Sequence, residues 1–79
     1  MTISEEEIQL MYQVIGHNVK KLREKHNMSQ IELSQAMGYK SVSLVASAEI
    51  TYNNKHFNLE HLYKISKIFN VPFPSLFNM

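Results

Sequence analysis

The order of apolar and polar positions along the chain predicts helices and gives no sign of strands. Ile8, Met11, Ile15, Val19 and Leu22 recur at intervals of three and four, with Leu10 and Val14 alongside. That spacing puts them on one helical face and predicts a helix from Ser4 to about Lys25. Ser4 stands as its N-cap with Glu7 in the capping-box position, and Lys20, Lys21 and Lys25 gather near the other end. Acids at the start and cations at the end both suit the helix dipole. Gly16 interrupts the run. A glycine there costs roughly 1 kcal/mol relative to alanine, so either two helices meet or another element comes too close for a side chain. The continuous helix is the preferred reading.

Met28 to Glu49 reads as two short helices joined by a tight turn. Ser29 and Glu32 have the spacing of a capping box, Leu33, Ala36 and Met37 share a face, and Gly38 can supply a positive φ at the end. Ser41 or Ser43 caps the next helix, in which Val45 and Ala48 recur three apart. Residues 50–58 are polar and aperiodic, which predicts a loop. Asn58 then caps a fourth helix with an inward stripe of Leu59, Leu62, Ile65, Ser66 and Phe69, stopped by Asn70 and Val71-Pro72. Pro74 opens a short last helix or 3₁₀ turn that returns Leu76 and Phe77 to the core. The expected fold is therefore all-α, with residues 1–13 extending the first helix and residues 14–79 forming the domain proper.

Composition changes this picture only at its edges. With 79 residues and 44% apolar content the chain can bury one modest core. It has no cysteine, which excludes disulfides and thiolate-bound zinc. No apolar run approaches the length of a membrane span, and the acidic start is unlike a secretory signal. The net charge is only +1, but Glu5, Glu6 and Glu7 hold three of the seven acids. The remainder carries eight basic against four acidic side chains, an excess suited to phosphates.

Enzymatic chemistry finds no support. His17, His26, His56 and His61 have no metal-ligand spacing, no serine lies in a nucleophile-elbow context, and no glycine-rich loop is present to cradle phosphate. The expectation is no catalytic residue, no metal and no cofactor. Nucleic-acid binding fits better. A helix in the major groove needs an accessible N-terminal half with small side chains. Tyr39, Lys40, Ser41, Val42, Ser43, Leu44 and Ser47 supply that half. Lys40 reaches phosphate or a guanine edge, the serines bond bases or phosphates, and Val42 suits a thymine methyl. Gln30 begins the preceding helix, where backbone N–H groups favour a phosphate.

The ordered set Ile15-Gly16, Val19, Leu22-Arg23, Ser29-Gln30, Leu33, Gly38, Val45, Glu49, Leu59, Leu62, Ile65, Phe69-Asn70-Val71 and Leu76-Phe77 resembles the Cro/CI-type helix-turn-helix family of phage repressors and xenobiotic-response-type regulators. It covers about residues 14–77. The resemblance implies a compact five-helix, lambda-repressor-like domain whose third helix enters the major groove. It implies a sequence-specific, double-stranded DNA-binding transcriptional regulator, usually a repressor acting at an inverted-repeat operator. It carries DNA contact to Gln30, to the residues around Lys40–Ser43, and to the following loop at Asn53, Asn54, Lys55 and Asn58, with His56 a weaker candidate. It pairs Arg23 with Glu49 as a structural ion pair.

Two features depart from the family pattern. Counted from Gly38, Glu49 comes one residue late, so the turn or the start of the third helix absorbs an extra residue. The helix SVSLVASAE holds no Arg, Asn or Gln, the side chains that read bases bidentately. A second reading follows: a protein-interaction or antitoxin-like module that reuses the fold and has a protein partner. The resemblance further implies a weak homodimer of a cytoplasmic, bacterial or phage-encoded protein, nucleoid-associated when bound. Its candidate dimer surfaces are the C-terminal segment from Val71 to Met79, which is favoured, and the N-terminal helix from Ile3 with Ile8 and Met11.

Overall fold

A computed structural model describes residues 2–79. Its described residues form four α-helices and two 3₁₀ turns, without strands. Helix α1 (Glu5–Lys25) is a single unbroken helix of 21 residues, roughly 31 Å long at 1.5 Å per residue. The Ser4 side chain accepts the Glu7 N–H at 3.1 Å, and three glutamates fill the first turn. Its inner face buries Ile15, Gly16, Val19 and Arg23.

Gly16 does not break the helix; it stands where no larger residue fits. A Cβ built there would lie 2.6 Å from the Ala48 carbonyl oxygen and 2.7 Å from that of Glu49. Those are backbone atoms of α3 (Ser43–Glu49). The glycine lets α1 touch the end of α3 directly.

Helix α2 (Gln30–Ala36) starts at a complete capping box. Ser29 accepts the Glu32 N–H, and the Glu32 carboxylate accepts the Ser29 N–H at 2.8 Å. Gly38 leaves the helix at φ 96, open to space on its Cβ side. The start of α3 differs from the sequence expectation. Its N-cap is Val42, which offers no side-chain bond, and Ser41 accepts the Ser43 N–H from one residue further back.

The loop after α3 contains a 3₁₀ turn at Tyr52–Asn54. Thr51, Asn53 and Asn54 all sit at positive φ. Asparagine tolerates that region, whereas a β-branched threonine is strained in it. Helix α4 (Leu59–Phe69) is capped by Asn58 and ends on Asn70 in the left-handed conformation at φ 54. A 3₁₀ turn at Phe73–Phe77 takes the place of a fifth α-helix. It folds Leu76 into the core, and the Asn18 side chain holds the end of the turn by donating to the Leu76 and Asn78 carbonyls at 3.0 and 2.8 Å.

The core joins Ile15 and Val19 of α1, Leu33 and Met37 of the α2 region, Val45 and Ala48 of α3, Phe57, and Leu62, Ile65 and Phe69 of α4 to Leu76. Leu59 does not belong to it. The expected inward stripe of α4 begins one turn later, because the first residue of the helix is 68% exposed. Phe73 and Phe77 are half-buried and pack against the core together. The first turns of α1 are fastened at Tyr12, whose ring stacks on His56 at 3.6 Å. No described helix is long and apolar enough to cross a membrane.

Candidate nucleic-acid interface

The geometry of the interface starts from a buried charge. Arg23 is 8% exposed and Glu49 4%. The guanidinium donates through Nε to Oε2 at 2.7 Å and through Nη2 to Oε1 at 3.0 Å. A planar fork of this kind matches a carboxylate bidentately. The Glu49 carboxylate holds Arg23 charged beyond its ordinary range, against the opposing effect of burial. Two further bonds complete the network. Arg23 Nη1 donates to the Met28 carbonyl at 2.9 Å, and Gln30 Nε2 donates to Glu49 Oε1 at 3.0 Å. The four groups tie the end of α1, the start of α2 and the end of α3 together.

This network fixes how α3 faces outward. Val45, Ala48 and Glu49 point inward and Leu44 packs against the core edge. Lys40, Ser41, Val42 and Ser43 are exposed at the N-terminal end of α3, and Ser47 is half-exposed. The Ser41 and Ser43 hydroxyls are 2.7 Å apart and share a hydrogen bond. The extra residue between Gly38 and Glu49 is taken up without parting Glu49 from Arg23. Four residues, Tyr39 to Val42, separate Gly38 from α3.

The remaining candidates fall in two groups. Asn53, Asn54 and Lys55 are exposed on the loop that follows α3. Gln30 and Asn58 already have structural partners, Gln30 in the ion-pair network and Asn58 as the cap of α4. His56 is half-buried under Tyr12. Tyr39 is half-buried as well. The Lys64 ammonium lies over its ring at 4.9 Å, and the His61 ring meets it edge-on at 5.9 Å.

Lys64 and His61 are the side chains that sequence reasoning missed here. His61 stands three residues after Asn58, which is capping-box spacing, yet that pattern is ordinarily recognised by Glu or Gln. Lys64 is four residues after Glu60, its ion-pair partner at 3.4 Å, but its contact with Tyr39, 25 residues earlier, has no local signal. No group of three or more potential metal ligands occurs among the described residues.

Comparison with known proteins agrees with this architecture. A family model described as helix-turn-helix matches residues 19–76. No curated protein matches the chain.

Proposed function

Because the chain belongs to the helix-turn-helix family, we propose that this DNA-binding regulatory domain is a sequence-specific repressor, with α3 inserted in the major groove of an inverted-repeat operator. One observation carries the proposal. The buried Arg23–Glu49–Gln30 network anchors the inner side of α3, while its N-terminal end presents small polar side chains and one cation, Lys40, to solvent. A groove-reading helix needs that combination of rigid support and close approach. The exposed loop at Asn53, Asn54 and Lys55 then meets the phosphate backbone beside the groove.

Without Arg, Asn or Gln on α3, base discrimination rests on the serine hydroxyls, on Val42 against thymine methyls, and on the shape of the duplex. Selection of bound duplexes from a random pool tests the reading. A recovered motif with two-fold symmetry supports it; indifference to sequence at low salt removes it. On a recovered duplex, Lys40→Ala lowers affinity and reduces the slope of log affinity against log salt by about 1 if its partner is phosphate. An unchanged affinity and slope take Lys40 out of the interface.

A second reading has its own observation. Ile31, Val42 and Ile50 are exposed apolar side chains on the helix-turn-helix segment. An antitoxin-like module would cover them with a protein partner. A co-purified protein that competes with duplex for this face supports that alternative.

A further inference from the structure

The cap of α4 is chemically unusual. Asn58 Oδ1 accepts the His61 N–H at 2.8 Å, and the Asn58 N–H donates to His61 Nδ1 at 3.0 Å. The second bond fixes the tautomer. Nδ1 must offer its lone pair, so the ring proton sits on Nε2 and the imidazole is neutral. Held in this way, the ring lies edge-on to Tyr39 at 5.9 Å and edge-on to Phe57 at 6.3 Å. Phe57 is a buried core residue, and Tyr39 is the first residue after Gly38 in the turn that leads to Lys40–Ser43.

We propose that His61 is a positioning residue for DNA binding: as the neutral capping partner of Asn58, its ring props Tyr39 and thereby fixes the α2–α3 turn. The inference rests on the DNA-binding reading above, but the prop itself is a property of the free protein.

The surroundings of His61 make the prop sensitive to protonation. A proton on Nδ1 would set two donors against each other at the Asn58 N–H. It would also place a cation in the first turn of α4, at the positive end of the helix dipole. Glu60 beside it favours the charged ring but is paired with Lys64 at 3.4 Å, and Lys64 and His56 in the preceding loop act against it. Tyr39, from the turn, contributes its ring and a hydroxyl already facing Lys64. Burial, the largest influence, also disfavours the charged ring. Once protonated, the ring leaves its seat and Tyr39 loses its edge contact. The sign is diagnostic. Added positive charge by itself strengthens attraction to phosphate, whereas charging His61 weakens binding.

The test compares the whole protein with His61→Gln, which keeps a capping side chain of the preferred kind but does not titrate. In the free proteins, the Tyr39 ring resonances are followed by NMR from pH 7.5 to 5. In wild type they move with the His61 imidazole; in H61Q they stay still. Affinity for a duplex recovered from the random pool is then measured over the same range, each protein normalised to its own value at pH 7.5. A single titrating group changes affinity by up to about tenfold per pH unit, so wild type should lose several-fold more affinity than H61Q by pH 5. Tyr39 resonances that ignore the His61 titration, or parallel affinity profiles for the two proteins, overturn the proposal. Should wild type prefer no duplex at any pH, the DNA-binding reading fails, and the resonance experiment alone decides whether His61 props the turn.

Discussion

At the scale of single residues, the most consequential side chain is Arg23. Its charge is taken almost fully out of water, and that is tolerable only because Glu49 and the Met28 carbonyl receive its N–H groups. Removing one partner of a buried pair leaves the other uncompensated, a loss of about 3–5 kcal/mol. Arg23→Met should therefore destabilise the domain by about that amount in chemical denaturation. Arg23→Met combined with Glu49→Met should recover most of it, because two apolar side chains leave no stranded charge. Equal stability of wild type and Arg23→Met would contradict the buried pair. Gln30 shows a related economy of placement. It is bonded to Glu49, so its amide helps to orient that carboxylate at the end of α3.

At the scale of elements, the α1–α3 crossing is decided at Gly16. Alanine there would gain roughly 1 kcal/mol of helix propensity. It would also press a methyl group onto two α3 backbone carbonyls, so one of the two helices must shift. Overpacking of this sort commonly costs about 1–3 kcal/mol, and here the obstacle is backbone. Gly16→Ala should lower the thermal midpoint, even though an isolated peptide of α1 gains helicity from the same change. A raised midpoint would mean that α1 and α3 do not cross this closely. Helix α2 leans on its capping box, because seven residues form too few internal bonds to hold by themselves.

At the scale of the whole molecule, two behaviours follow. The first is sensitivity to acid. Burial lowers the His61 value, so the fold favours the neutral ring. Stability from this source is complete above the ordinary histidine value of about 6.5 and is lost as pH falls below it. The Glu32 carboxylate is lowered by its hydrogen bonds with Ser29, first through the backbone N–H. Its contribution is present above the ordinary carboxylate value and disappears as pH falls through the folded value. Thermal midpoints should hold level from pH 8 to the histidine range, fall through it, and fall again in the carboxylate range. His61→Gln should erase only the first decline. A first decline of equal size in H61Q would remove His61 as its source.

The second behaviour is association. One short helix without a bidentate base reader gives little affinity, so the proposed DNA-binding reading calls for a dimer that would add a second helix at half-site spacing. Phe73 and Phe77 pack against their own core, whereas Ile3, Leu10 and Leu59 are exposed near the N-terminal end of α1 and the start of α4. We propose association through the N-terminal arm on that distribution, with the C-terminal segment, where Met79 is also exposed, as the alternative surface. Sedimentation with an operator-length duplex should find two protomers per duplex, and Leu10→Glu should reduce occupancy toward one. A single protomer at saturating wild-type protein defeats the dimer.

Local chemistry determined the helices and most of their ends. Periodicity placed Ile15, Val19, Leu33, Val45, Leu62 and Ile65 inside, and Ser4, Ser29, Asn58 and Asn70 marked boundaries through bonds that span three residues or a single left-handed φ. These signals act within a turn or two, so they are written in the order of the chain. The pairing of Arg23 with Glu49 was legible only through family resemblance, since no local rule joins residues 26 apart. What tertiary structure alone decided were the long-range contacts of side chains that look ordinary in sequence. Leu59 fits the apolar stripe of α4 but lies beyond the edge of the core, and Asn18 clamps a segment 60 residues away. His61 reads as a surface histidine until the fold brings Tyr39 against its ring. Periodicity specifies which face of a helix is buried; it does not specify how far the neighbouring element extends or which side chain it brings there.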